Sequence, residues 1–188
     1  MALRGEHVVV IGGGNSAGQA AVHLAKHAAS VRVVVRGPSL ASSMSDYLIR
    51  ELDATPHLHV DVSNEVVDAA GDGRLQSLTV RNRSTGTTRD LKAAALFVMI
   101  GAVPHTEWLD PDIARDPAGY LLTGEQVAGL AQWPLERAPL FLETCVPGVF
   151  AVGDVRHGAT RRVAPSVGAG AIAVQLVHQY LSEAGVAQ

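Results

Sequence analysis

Gly12, Gly14 and Ala17 stand at the spacing Gly-x-Gly-x-x-Ala inside VVVIGGGNSAGQAAVHLA, between a valine-rich run and an alanine-rich one. Small residues in this order suit one kind of ligand. Gly12 permits a tight turn, Gly14 lets a pyrophosphate approach the backbone, and Ala17 lets the following helix pack closely on the preceding strand. The positive end of that helix then faces the phosphate charge. The stretch Gly12, Gly13, Gly14, Asn15, Ser16 and Ala17 is therefore the candidate cradle for a dinucleotide. The same spacing recurs at Gly168-x-Gly170-x-x-Ala173, but there it follows Val163-Ala164-Pro165 instead of a clear strand, with too few residues left for another strand. It is read as helix packing.

About twenty residues beyond such a turn, an acidic side chain binds the ribose 2′-hydroxyl of NAD. Here the second strand ends Val35-Arg36-Gly37, with no carboxylate. Arg36 has the planar fork that pairs with the 2′-phosphate of NADP. Serines within Ser39–Ser43 add hydroxyl donors. The plainer alternative is that Arg36 is a solvated strand-end cation; the missing acid favours NADPH.

Other reactive residue types lack partners. His23 and His27 are one turn apart, opposite the Ala17–Ala20–Leu24 stripe, and with no third ligand they read as a solvated helix face and not a metal site. His57 and His59 share one face of a strand, again without a third ligand. Cys145 is the only cysteine, so the chain alone builds no internal disulfide, CxxC pair or thiolate zinc site. It reads as a small packed residue. Trp108 and Trp133 read as packing for an irregular segment. No GxSxG, P-loop or HExxH pattern occurs, and no side chain stands out as a catalytic acid, base or nucleophile.

The elements that must position the glycine turn follow from periodicity. His7 to Ile11 and Val31 to Val35 are continuous apolar strands, and the helix between them puts Ala17, Ala20, Ala21, Leu24 and Ala28 on one face. Strands apolar on both faces, alternating with helices, indicate a parallel sheet covered on both sides. Asp46 to Leu52 is a second helix, ending before Pro56. His57–Val62, Glu65–Ala69, Arg74–Asn82 and Thr87–Leu91 are short segments broken by GDG and STG turns, expected as an antiparallel meander. Ala94 to Ile100 is a buried strand. The chain from Pro104 to Pro147 reads as irregular, Val149 to Val152 as a short strand ending at Gly153-Asp154, and Ser166 to Leu181 as a closing helix.

Composition sets outer limits. With 188 residues and 47% hydrophobic content the chain can bury a substantial core. Its net charge is −3 and its 15 Lys and Arg are scattered, so nucleic acid is not an expected partner. The opening MALRGEHVVVIGGG has too short an apolar run for a secretory signal, and Ala169–Val177 is too short for a membrane span. A cytoplasmic, membrane-free protein is expected.

GGGNSA before a helix, a strand ending in Arg, then LFVMIGAVPHTEWL and PGVFAVGDVRHGATRRVAPSVGAGAIAVQLVHQYL together resemble the thioredoxin reductase-like, FAD-dependent pyridine nucleotide oxidoreductases over nearly the whole chain. The resemblance implies an α/β fold: a Rossmann-like NADPH-binding domain with an antiparallel meander over residues 1–103, then a C-terminal segment of an FAD domain over 104–188. It implies that Gly12 to Ala17, Arg36, Ile100 and Gly101 hold NADPH. It implies that Gly153 and Asp154 meet the flavin ribityl chain, and that Arg162, Val163 and Ala164 lie beside the isoalloxazine ring. Two departures stand out. Such reductases often carry two neighbouring arginines after the nucleotide strand, and Gly37 replaces the second. They also begin with a separate fingerprint for the ADP half of FAD, whereas this chain starts directly at the NADPH turn. The implied reaction is hydride transfer from NADPH to FAD and on to a disulfide or another acceptor. The implied partners are a second copy or a chain carrying the N-terminal FAD half. The rival reading is an NADPH-binding module, inactive alone, that senses the nucleotide or completes a partner chain.

Overall fold

A computed structural model describes residues 3–185. They form two compact units, the first ending at Gly101 and the second beginning at Ala102.

The first unit is built on a four-stranded parallel sheet in the order β3-β2-β1-β7, from β1 (His7–Ile11), β2 (Ser30–Val34), β3 (Leu58–Asp61) and β7 (Ala95–Val98). Neighbouring residues on these strands point to opposite faces. Val10, Val31 and Val33 face α1 (Asn15–Ala25) and α2 (Asp46–Ala54), where Ala17, Ala21, Leu48 and Leu52 complete a core. Val9 and Val34 face the other way, onto Leu78 and Val80 of an antiparallel sheet formed by β4 (Asn64–Gly71), β5 (Leu75–Asn82) and β6 (Thr88–Lys92). Cover on both faces is why β1 runs Val8, Val9, Val10 without polar alternation and β2 ends in Val33 and Val34. Leu48 and Leu52, 2% and 1% exposed, each contribute roughly 1.5–3 kcal/mol by burial.

Three expectations are corrected in this unit. His57–Val62 does not open the meander, because α2 carries the chain back over the sheet and β3 pairs parallel with β2, Val31 opposite Leu58 and Val33 opposite Val60. The meander begins only at Asn64. His57 lies before β3 with a φ of 61°, so it does not share a strand face with His59. The last strand is Ala95–Val98, leaving Met99, Ile100 and Gly101 as a non-strand segment over the sheet's end.

The second unit has little regular structure apart from α3 (Val163–Glu183), which starts three residues earlier than expected. Val149–Val152 is not a strand; Phe150 makes only an isolated bridge to Glu143 across the turn at Pro147-Gly148. A small core of Ile113, Leu121, Val127, Cys145 and Ala151 holds the loops. Irregular backbone needs other hydrogen-bond partners, and charged side chains supply them. Arg115 donates to the carbonyls of Thr106, Leu109, Asp110, Pro111 and Ile113. Glu143, fully buried, accepts from both Nη atoms of Arg137 and from the amides of Leu140 and Gly148. Arg137 also lies over the Trp133 ring, 5.2 Å from its centroid, and reaches Glu183 near the end of α3. Trp108, by contrast, is 74% exposed and packs no core.

Candidate functional site

The glycine turn joins β1 to α1, and its conformation is set by what lies against it. Gly12 has a φ of 141°, and a Cβ there would come within 2.3 Å of the Met99 carbonyl oxygen. Only glycine fits between the two strand ends. Ala17, fully buried, packs beneath the turn, and a side chain larger than a methyl has no room there. Gly14 is the N-cap of α1 in extended conformation, no side chain caps the helix, and its first turn contains no acid. The positive end of α1 is thus available to an anion.

The segment between β2 and α2 braces this turn. Ser43 Oγ donates to the Gly13 carbonyl at 2.8 Å, while Leu40 and Met44 bury themselves in the core below. Asn15 holds α2 in place: its Oδ1 accepts from the Ser45 amide at 2.8 Å and its Nδ2 donates to Ser45 Oγ at 3.1 Å. Both side chains have partners within the protein. The hydroxyl proton of Ser43 is committed to the turn itself, and Asn15 acts as a brace between the two helices' first turns. Ser16 is exposed at the open end of α1.

Arg36 lies exposed just past β2. Ile100 and Gly101 follow Met99 at the same end of the sheet as the glycine turn, with Ile100 64% exposed and Gly101 at a φ of 92°. Gly12 to Ala17, Ile100 and Gly101 therefore gather at the C-terminal ends of the parallel strands, where ligands of open α/β sheets bind. Near Arg36 lies a charge cluster that periodicity did not reveal. Glu65 accepts from Arg81 Nε at 3.0 Å and Nη2 at 2.6 Å, with Arg83 Nε 3.7 Å from its other oxygen. The hydrogen bond from Arg81, then the charges of Arg81, Arg83 and Arg36, hold the Glu65 carboxyl below the usual carboxylate range. These residues come from β4, β5 and the turn after it, so no short spacing could have linked them to Arg36.

In the second unit, Gly153, Asp154, Arg161, Arg162, Val163, Ser166 and Val167 line an open hollow of about 720 Å³. Gly153 turns at a φ of 70° into a short 3-10 helix, Gly153–Val155. Arg162 is the N-cap of α3, with Val163 and Ala164 in the first turn, no side-chain cap and no acid there. Val163 is 82% exposed and Ala164 is exposed as well. Four of the five residues expected at a flavin, Gly153, Asp154, Arg162 and Val163, thus line one hollow at a positive helix end. Arg161 stacks on the Tyr120 ring, 4.4 Å from its centroid. His157 Nδ1 lies 2.7 Å from Asp116 Oδ2. This contact, with amide hydrogen bonds from Tyr120 and Ala118, keeps the Asp116 carboxyl below its ordinary range.

Cys145 is buried at 2% exposure; its sulfur accepts from the Ala114 amide and contacts the Asp112 carbonyl. That is a packing role, as expected. His23, exposed on α1, meets His27 edge to face at 5.9 Å; His27 lies exposed in the turn beyond the helix, so the two do not share a helix face. Among the described residues no group of three His, Cys, Asp or Glu is placed to hold a metal, and no helix is long and apolar enough to cross a membrane.

A parallel sheet with a glycine turn at its switch into α1, backed by an antiparallel three-stranded sheet, defines the first unit as Rossmann-type. A profile of the pyridine nucleotide-disulphide oxidoreductases matches residues 1–175. The chain belongs to that family, and within it is thioredoxin reductase-like. It is 34% identical over 189 residues to the mitochondrial thioredoxin reductase 1 of Arabidopsis thaliana, an alignment covering 99% of this chain and 46% of that protein. It is 32% identical over 179 residues to an NADH dehydrogenase of Bacillus subtilis, covering 95% of this chain and 32% of the relative. The thioredoxin reductase of Lactococcus lactis superposes with a TM-score of 0.73 at 26% identity, over 96% of this chain and 55% of that one. The chain therefore spans about half the length, or less, of the relatives it matches.

Proposed function

We propose that this chain binds NADPH at the Gly12–Ala17 turn and supplies the ribityl- and ring-facing part of an FAD site in a thioredoxin reductase-like flavoprotein. With both groups bound, the chemistry they supply is hydride transfer from NADPH to flavin, followed by passage of electrons to a disulfide or another acceptor. The observation that carries the reading is the approach of Met99 to Gly12 beneath an uncapped, acid-free helix start. It leaves backbone and a positive helix end where a pyrophosphate needs them.

The residues have distinct tasks in this reading. Gly12, Gly13 and Gly14 give the pyrophosphate its backbone surface, with Ser16 at the open helix end, and Asn15 and Ser43 hold that surface in shape. Ile100 and Gly101 border the bound nucleotide. Arg36 pairs with the 2′-phosphate. The relatives' names include both thioredoxin reductase and NADH dehydrogenase, so nucleotide choice rests on Arg36 and not on likeness. In the second unit Gly153 and Asp154 meet the ribityl chain, while Arg162, Val163 and Ala164 present the positive end of α3 to the ring, favouring negative charge on it. A cytoplasmic location goes with the scattered charge and the lone, packed cysteine.

Calorimetric titration with NADPH and NADH, with flavin absorbance read on the purified protein, tests this reading. Tighter NADPH binding supports it; no binding of either nucleotide overturns it. A second reading, a nucleotide-binding module that completes a partner chain or a second copy, is favoured by α3. None of its described residues is buried, and Val163, Val167 and Val174 are 82%, 67% and 59% exposed. NADPH binding without flavin retention, with flavin gained only on adding a chain that supplies the remaining half, selects this second reading.

A further inference from the structure

The nucleotide strand ends in a single arginine followed by Gly37, yet a second guanidinium lies beside it. Arg83 Nη1 donates to the Arg36 carbonyl oxygen at 3.3 Å, across 47 residues of sequence. The contact is built in by backbone. The Ser63 amide donates to the Gly37 carbonyl at 2.8 Å, and the Arg83 amide donates to the Ser63 carbonyl at 2.8 Å. Asn82 fixes the turn beyond Arg83, its Oδ1 accepting from the amides of Ser84 and Thr85 at 2.9 and 3.0 Å. Position 83 is thereby tied to position 37 through Ser63 by two consecutive hydrogen bonds.

The charge count around this corner favours an anion. Arg81 grips one oxygen of Glu65 through Nε and Nη2, which neutralises that carboxylate. Arg36 and Arg83 remain, and both act on the same Glu65 by charge. Three guanidiniums against one carboxylate leave two positive charges, close to the −1.5 to −2 of a phosphate monoester at neutral pH. Arg32 and Arg89 pair instead with Asp61 and are left out of that count. One arginine supplies only part of the counter-charge a dianion needs; a second guanidinium nearby supplies the rest, with further charge-assisted hydrogen bonds.

We infer that Arg83, from the β5–β6 turn, is the second cation of the 2′-phosphate subsite and a specificity-determining residue for NADPH over NADH. The assignment deepens the NADPH reading and rests on it. Calorimetric titration of the full chain with adenosine 2′,5′-bisphosphate and with 5′-AMP tests it without any flavin present. Arg83→Met is expected to weaken bisphosphate binding about tenfold while 5′-AMP changes by less than about twofold, and Arg83→Lys is expected to recover part of the loss. Equal weakening of both ligands by Arg83→Met would mean damage to the turn and would overturn the assignment. Retention of the wild-type ratio in Arg83→Met, with its loss in Arg36→Gln, would overturn the Arg83 role and leave the NADPH reading standing. Equal affinities of the wild-type chain for the two ligands would overturn the NADPH reading and the Arg83 role together.

Discussion

The carbonyl oxygen of Met99 occupies the space that a side chain on Gly12 would need, 2.3 Å from where its Cβ would stand. The end of β7 and the turn after β1 are thus locked together by the absence of one atom. The Met99 amide donates to the Ile11 carbonyl at 2.7 Å, which holds the approach in place. Gly12→Ala is expected to cost about 2–5 kcal/mol of unfolding free energy, from backbone strain and from forcing the strand ends apart. Urea unfolding measures it. Gly101→Ala, at positive φ but with open space around it, is expected to cost only about 1 kcal/mol.

In the proposed reading Arg36 sets nucleotide choice, and its side chain is exposed, so its replacement disturbs no core. Arg36→Gln is expected to weaken NADPH binding by about 1.5–3 kcal/mol, the worth of a hydrogen bond to a charged group, and to leave NADH nearly unchanged. Titration of both nucleotides at low and high salt checks this, and the NADPH difference shrinks as salt rises.

The pair Arg137–Glu143 makes the second unit acid-sensitive. Burial pushes the Glu143 carboxyl up, but the hydrogen bonds from Arg137, Leu140 and Gly148 and the Arg137 charge outweigh it, so its folded pKa lies below the ordinary value. A depressed carboxylate pKa stabilises the fold above the unfolded value, and that contribution fades as pH falls through the lower folded value. Glu143→Gln is expected to lose about 3 kcal/mol at neutral pH, leaving Arg137 without its counter-charge, and to flatten the acid limb of stability against pH. Unfolding midpoints measured from neutral pH down to pH 3 test both.

Flavin retention is expected to be weak in this chain alone. Among the described residues there is one strand–glycine turn–helix cradle, and NADPH takes it in the proposed reading. Gly153, Asp154 and Arg162 then meet only the ribityl and ring portions of FAD, and ordering the ligand is paid from few contacts. The protein is expected to purify colourless and to gain flavin absorbance when mixed with a polypeptide supplying an ADP-binding half. A yellow preparation with stoichiometric FAD would contradict this.

The exposed valines of α3 are expected to drive self-association at high protein concentration. Sedimentation velocity is the measurement, and Val167→Asp with Val174→Asp is expected to shift the protein toward monomer.

The glycine turn, its flanking strand and helix, and the position of Arg36 just past the next strand were legible from residue order because each depends on neighbours within a few turns of chain. Small residues at a strand-to-helix junction, a run of valines and a helix start without an acid are local features; that Gly12 must be glycine is decided by Met99, which only the fold brings to it. Other features answer to contacts between distant segments, and spacing carries no record of them. His57–Val62 looked like the first segment of a meander, yet its strand, Leu58–Asp61, joined the parallel sheet because α2 returns the chain beside β2 and Leu58 and Val60 complete the face begun by Val31 and Val33. Ser43 looked like a phosphate donor, yet its hydroxyl faces Gly13. Arg83 carried no motif at all; it reaches Arg36 because the hydrogen-bonded path through Ser63 brings the β5–β6 turn to the end of β2.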